Sequence, residues 1–394
     1  MRRQAGCIYK SKNGERWLAR WRENVIENGE IKRKLRFRDL APVNDAYRTE
    51  KDVQPLLDEI LAPINSGKAK PESTLSVFDY GEDHCLPWVR ENCKPSTIAG
   101  YEAYWDSYLA PRLKKISLRD FRTVDAADLL ADLHRSHGHG REMLKKSKAI
   151  LSGIFTMARN VGVLDQPNPI PGTKIPKKAA RSSDLHATSP DEVVAILDAL
   201  ENAKLEDDKE VPREHRLKAR AAVALQFFAG LRPGEARGVR WEDYNGKRLT
   251  VCQSVWHTHT TTPKTEESEK PVPVIEPLAG ILADLRKADA NPSTGPRLLG
   301  PSGKPLNLEN LSKRVVAPLL KAKELEWHGW YSLRRGVATT IKSISKDSLA
   351  AKGLLRHSSV STTERHYIKD VPENTISAMN QLEKLFTECS TTKN

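Results

Sequence analysis

No run of apolar residues in the chain approaches the roughly eighteen that a membrane span requires. The opening stretch, MRRQAGCIYK, lacks the apolar segment of a secretory leader. Neither membrane insertion nor export is expected. Cysteine is scarce: Cys7, Cys85, Cys93, Cys252 and Cys389 are odd in number and form no CxxC pair. That spacing excludes a disulfide framework and a structural zinc, and suits reduced thiols in a cytosol. No internal repeat is present. Acidic residues fall short of basic ones, 51 against 64, giving a net charge of +13 and a pI near 9.4. A surface of that sign attracts polyanions, of which nucleic acid is the most abundant in a cytosol. Residues 1–40 hold twelve Lys/Arg and five Asp/Glu, so a net +7 sits in the first tenth of the chain.

What is present reads as three domains, 1–66, 74–165 and 182–388, in an α+β fold. GCIYKSKNGERWLARWRE carries a turn signal at Asn13-Gly14 between alternating apolar residues, the pattern of a hairpin. A third strand, GEIKRKLRFRD, follows a turn at Asn28-Gly29. TEKDVQPLLDEILAPIN has helical spacing, with Pro55 expected in its first turn. SGKAKPES, Ser66–Ser73, reads as a linker. From Thr74 to about Asp165 the pattern predicts a bundle of four or five helices, one starting at a Ser96 cap and stopping at Pro111. His134, His137 and His139 fall among small residues and read as an exposed loop. Pro167–Arg181, with four prolines, reads as an extended connector. A capping box, Ser189-Pro190-Asp191-Glu192, opens the third domain. That domain is predicted to be mostly helical, with a small antiparallel sheet of short strands between about 248 and 275. His257 and His259 are expected to alternate on one strand face, beside DNA more readily than around a metal.

Several reactive side chains occur in order along this third domain. FFAGLRPGEARGVRW places Arg232 at a helix start with Glu235 three residues on, and TTPKTEESEKPVPV places Lys264 at a strand turn. WYSLRRGVATT supplies Tyr331 and Arg334, and RHSSVSTTERHY supplies His357 and Tyr367. Each alone is an ordinary surface residue. As an ordered set they resemble the tyrosine recombinase (phage integrase) family, whose pattern is a GLRxxE box, a lysine in a β-turn, an HxLR box, a GHSS box and a nucleophilic tyrosine. The resemblance spans the chain, being specific over about 185–388 and looser upstream.

The resemblance implies a site-specific recombinase that cuts and rejoins DNA through a 3′-phosphotyrosine, integrating or excising a mobile element. Tyr367 would be the nucleophile, Arg232 and Arg334 the phosphate clamp, His357 a base or phosphate donor, and Lys264 the general acid. Glu235 would orient Arg232. The physics fits these types. Charge grows on the phosphate oxygens in the transition state, and each positioned donor there contributes roughly 3 kcal/mol. A free tyrosine is only about 0.1% ionised at neutral pH and needs the arginine field. No acidic cluster or His/Cys set is spaced for a metal, so neither metal nor other cofactor is expected. Three residues depart from the family pattern. Tyr331 replaces a histidine (for which His328, three residues earlier, is a possible substitute), Arg356 a glycine, and Gly336 stands at an unusual position.

The same resemblance makes 74–165 a core-binding domain and 1–66 an arm-type DNA-binding domain, with Arg20, Arg22, Arg33 and Arg36 as contacts. It implies double-stranded DNA with core and arm sites as partner, a homotetramer on synapsed DNA exchanging the tail helix PENTISAMNQLEKLF, and accessory bending or excision factors. The implied location is cytoplasmic, on the nucleoid of a bacterial or phage-host cell. Two alternatives stay open: a DNA-binding protein with impaired catalysis, and a type IB topoisomerase-like enzyme.

Overall fold

The computed structural model describes residues 3–27, 29–181, 185–205, 210–263, 266–298 and 304–356. The chain forms two compact units, 1–183 and 184–394, and the fold is α+β with helix dominant.

In the first unit β1 (Cys7–Lys10), β2 (Arg16–Glu27) and β3 (Glu30–Pro42) form an antiparallel sheet in the order β1-β2-β3. The period of two is plain in β2. Trp17, Ala19, Trp21, Glu23 and Val25 are buried, while Arg20, Arg22 and Asn24 are exposed. α1 (Glu50–Asn65) covers the sheet with Val53, Leu57 and Leu61, which pack on Ile8, Trp17, Ala19, Trp21 and Ala41. The Asp52 carboxylate accepts the Thr49 N–H at 2.8 Å and fixes where this helix begins. Pro55 therefore lies in the second turn, not the first, and the helix also contains Pro63.

The stretch read as a linker is structured. Lys68 and Ala69 both donate to the Pro63 carbonyl, a 3₁₀ turn spans Pro71–Thr74, and Ser73 is buried. Sheet and bundle are joined by charge. Buried Glu23 binds Arg36 of β3 at 3.0 Å and Arg119 beyond it in sequence, and Arg38 pairs with Asp120.

Four helical rods form the bundle among the described residues: α2 (77–92), α3 (95–113), α4 (Thr123–His137) and α5 (Arg141–Asn160). α2 and α3 each contain a π turn, at Gly81–Cys85 and Trp105–Leu109. The fully buried Trp105 ring packs where these turns meet and donates to Glu82 at 2.7 Å. α3 begins at Pro95, one residue before the expected cap, and its π turn carries the helix on through Pro111. His139 is buried, contrary to the expected exposed loop. Its ring lies against Tyr104 and Tyr108, and burial pushes its pKa below the ordinary histidine value. The proline-rich connector is held along α5: Asn168 Nδ2 donates to the Ser152 carbonyl, and Lys148 binds the Thr173 carbonyl.

The second unit opens with α6 (Pro190–Asn202), and its predicted capping box is present. The Glu192 N–H donates to Ser189 Oγ at 3.2 Å, and the Ser189 N–H to Glu192 Oε2 at 2.6 Å. α7 (Arg213–Phe228) is buried over most of its length and forms the centre of the core. α8 (Pro233–Gly238) follows, then two two-stranded sheets. In these β4 (Arg248–Leu249) pairs with β7 (Val272–Pro273), and β5 (Ser254–Trp256) with β6 (His259–Thr261). His257 sits in the β5–β6 turn at φ 49° and His259 starts the return strand. The two therefore do not alternate on one strand. α9 (Glu276–Ala288), α10 (308–321), α11 (Trp330–Ser345) and α12 (Ser348–Leu355) follow among the described residues.

Candidate active site

The site forms where the start of α8, the first half of α11 and the end of α12 meet around one carboxylate. Pro233 at the first position of α8 leaves Arg232 as its cap residue. Glu235 then reaches back, its Oε2 accepting the Arg232 N–H at 2.9 Å and its Oε1 accepting Arg232 Nη1 at 2.7 Å. Arg356 Nη2 binds Glu235 Oε2 at 2.6 Å from 121 residues away, and Arg334 Nη1 lies 3.9 Å from the same oxygen. Glu235 is 3% exposed. Burial is the largest influence on its carboxyl and opposes ionisation. The Arg356, Arg334 and Arg232 charges and the Arg232 N–H outweigh it, holding the group below the ordinary glutamate range.

The three guanidiniums are not equivalent. Arg232 keeps 31% of its side chain exposed. Arg334 is wholly buried; its Nη1 donates to the Gly230 carbonyl and its Nη2 to the Leu355 carbonyl at 2.6 Å. Of the two arginines expected to clamp a phosphate, Arg232 is thus partly exposed and Arg334 buried. Gly230 presents its carbonyl from φ +58°, a backbone conformation that side-chain-bearing residues rarely adopt. Arg356 is a third buried guanidinium, which the sequence marks as a departure from glycine. Its φ of 52° and ψ of 50° at the α12 C-cap explain why glycine suits this position. Arginine accepts the strained conformation here and gains Glu235. Its Nε and Nη1 have no hydrogen-bond partner among the described residues.

Tyr331, in the first turn of α11, is 49% exposed. It precedes Arg334 by three positions and so shares its side of the helix. His328 lies before the helix, which starts at Trp330, and not one turn back within it. Its ring stacks on His186 at 3.7 Å between centroids. Gly336 has a clear reason: a Cβ there would stand 1.9 Å from the Thr188 carbonyl oxygen. The segment entering α6 lies directly on α11, with the Thr188 N–H donating to the Ser332 carbonyl at 3.1 Å and Arg335 Nε to the His186 carbonyl at 2.7 Å. Lys264, His357, Tyr367 and the tail helix after it lie outside the described residues.

Of the four arginines assigned to the N-terminal sheet, three share a face. Arg20 pairs with Phe37, Arg22 with Leu35, and Arg33 with Asn24, so these six project together. The apolar members are exposed, Phe37 by 63%. Arg36 pairs with Trp21 on the other face and is bound to Glu23, so it does not join them.

Sequence reasoning missed Arg297, a buried cation between the rings of Trp241 at 4.4 Å and Tyr244 at 4.8 Å. Burial pulls its pKa down to about 10, and it donates to the Arg240 and Trp241 carbonyls. No local signal marks it. Among the described residues no helix is long and apolar enough to cross a membrane.

No family model matches the chain. It is similar to a XerC-like tyrosine recombinase of Caldanaerobacter subterraneus subsp. tengcongensis, 22% identical over 367 residues that cover 86% of this chain and 90% of the relative. It is also similar to tyrosine recombinase XerC of a Methylobacterium species, 28% identical over 285 residues, 68% of this chain and 82% of that one. Among solved structures, the Tn1549 transposon integrase in complex with transposon right end DNA superposes with a TM-score of 0.64 at 16% identity, covering 78% of this chain and 100% of that one. A lambda integrase dimer bound to a COC′ core site superposes with a TM-score of 0.56 at 17% identity, covering 91% and 94%. These likenesses establish the fold. The relatives carry one name along most of the sequence and agree with the ordered boxes, and they support the tyrosine recombinase (phage integrase) family.

Proposed function

We propose that this chain is a site-specific DNA recombinase of the integrase type, which cleaves and rejoins DNA through a 3′-phosphotyrosine on Tyr367. The observation that carries the reading is the convergence of Arg232, Arg334 and Arg356 on buried Glu235. Guanidiniums held by one carboxylate are pre-positioned, so stabilising the phosphate in the transition state needs little reorganisation. Arg232 is the open donor. Arg334 reaches the phosphate by exchanging a backbone carbonyl for a phosphate oxygen. Lys264 protonates the leaving 5′-oxygen, His357 assists Tyr367 or binds the phosphate, and Tyr331 donates its hydroxyl where the family has histidine. The phosphotyrosine bond retains the energy for religation, so no ATP is required.

Arg20, Arg22 and Arg33 with Phe37 and Leu35 form a basic and apolar strand face that suits an outer, arm-type DNA site, with Arg36 left to the Glu23 ion pair. Residues 74–165 and the catalytic domain of 182–388 both contact the core site. A lambda integrase tetramer bound to a Holliday junction is among the structures of this fold. We place this chain in the same kind of assembly, tied by the tail beyond Tyr367, with accessory bending or excision factors at the arm sites.

The test is a nicked suicide substrate run on a denaturing gel. The parent should give a covalent protein–DNA adduct, and Tyr367→Phe should give none while binding DNA with nearly parental affinity. An adduct persisting in the Phe variant removes Tyr367 from the role.

A further inference from the structure

We infer that His186, Glu192 and His328 form a binding site for a borderline divalent transition-metal ion of the zinc type, separate from the arginine cluster. One ligand atom from each of the three lies within 4.8 Å of the others. His186 Nε2 is 3.1 Å from the Glu192 carboxylate. Donors bound at about 2.0–2.1 Å around a tetrahedral zinc stand roughly 3.3 Å apart, so this edge already has the required length. The remaining donor, on His328, lies within 4.8 Å of the other two and closes by side-chain rotation.

The donor set selects the ligand class. Two imidazoles and one carboxylate suit zinc, cobalt or nickel, whereas magnesium and calcium require more oxygen ligands. Three protein ligands also leave a fourth position for water. The two imidazole rings are stacked at 3.7 Å with planes 24° apart. All three side chains are half-buried, so an ion can enter.

The surroundings fix the ligands as metal-site neighbours do. Glu192 is oriented by the Ser189 N–H at 2.6 Å. His186 is held through its carbonyl by Arg335 at 2.7 Å, and Thr188 by Ser332 of α11. Positions 186, 192 and 328 have no ligand spacing that a sequence could display. An ion here pins the segment entering α6 to the lead-in of α11, the helix that carries Tyr331 and Arg334. It stabilises the catalytic unit without touching the reacting phosphate.

The experiment uses untagged, metal-free full-length protein without DNA, titrated with Co²⁺ and followed by visible d–d absorption. One tetrahedral Co²⁺ per chain, displaced by Zn²⁺, is expected, with a rise in melting temperature. His186→Ala and His328→Ala should each weaken binding at least tenfold. The double variant His134→Ala/His137→Ala should bind as the parent does. Thermal melts of the metal-free proteins check folding, and if an alanine variant melts early, His328→Gln is read by the same titration. No absorbing complex in the parent, or parental affinity in both folded histidine variants, overturns the site.

Discussion

Replacing Glu235 with glutamine tests the cluster at its centre. The carboxylate meets Arg356 at 2.6 Å, Arg232 at 2.7 Å and Arg334 at 3.9 Å, and it is almost fully buried. At an effective dielectric near 20, each close pair attracts by about 4 kcal/mol, so the two shortest contacts amount to about 8 kcal/mol before desolvation. Desolvation and repulsion among the guanidiniums cancel much of that sum. Removing one member of a buried pair costs roughly 3–5 kcal/mol, because the remaining charge is stranded. Here two stranded guanidiniums are themselves buried, so the upper half of that range is expected. Denaturant unfolding of the catalytic unit at pH 7 measures it.

The pH dependence supplies an independent sign. The Glu235 carboxyl is held below its ordinary range in the folded chain. Its contribution is therefore complete above the unfolded glutamate value of about 4.3 and is lost as pH falls through the lower folded value. The parent should lose stability over that acidic window, and Glu235→Gln should lose less, having no such proton to take up. Cleavage should fall by about a hundredfold with DNA affinity nearly unchanged, since Arg232 loses its orientation and not its charge. Glu235→Asp should recover part of the rate. A glutamine variant within about 1 kcal/mol of the parent, or with the parental acid profile, would refute the reasoning.

Three further outcomes follow from particular contacts. Gly336→Ala places a Cβ 1.9 Å from the Thr188 carbonyl oxygen and should destabilise by about 3 kcal/mol, lowering the melting temperature by about 6–12 °C; an unchanged melt would mean the two backbones separate freely. Lys264→Ala should slow cleavage by about 10²–10⁴-fold, and a 5′-bridging phosphorothiolate should restore the rate; absence of rescue removes Lys264 as the general acid. Tyr331→Phe should slow single-turnover cleavage by about a hundredfold, the loss of one transition-state donor, with binding unchanged and Tyr331→His active. A Phe variant as fast as the parent eliminates the hydroxyl's role.

Local chemistry made much of the fold legible. The Asn13-Gly14 turn, the alternation along β2 and the Ser189–Glu192 box involve neighbours in sequence, and each is found as read. The π turns in α2 and α3 escaped because each adds a residue to a 3.6 period that pattern reading assumes regular. His139 was misread because polar and small neighbours suggested exposure, whereas Tyr104 and Tyr108 reach it from α3. In the site, Arg232 and Glu235 lie one helical turn apart and were readable as a pair. Arg356 was visible only as a departure from the family pattern; its partner is 121 residues away. Arg36 shares composition with Arg33, but strand parity turns it to the opposite face, where Glu23 waits.

The arrangement of acceptors around the three guanidiniums bears on how a phosphate would enter. Three arginines and one glutamate leave the cluster at +2, a match for the two negative charges of a phosphoryl transition state and one more than a ground-state diester carries. Without Glu235 the excess would be +3, and the buried cations would repel one another in a medium that screens poorly. The carboxylate therefore sets the charge as well as the geometry. Arg334, by contrast, also donates to neutral acceptors, the Gly230 and Leu355 carbonyls. Hydrogen bonds to an anionic oxygen are roughly twice as strong as those to a neutral one, so a phosphate competes successfully for these donors. It does not compete equally for the donors given to Glu235, which is already an anion. On the proposed function, DNA entry thus exchanges the carbonyl partners of Arg334 and leaves Glu235 in place.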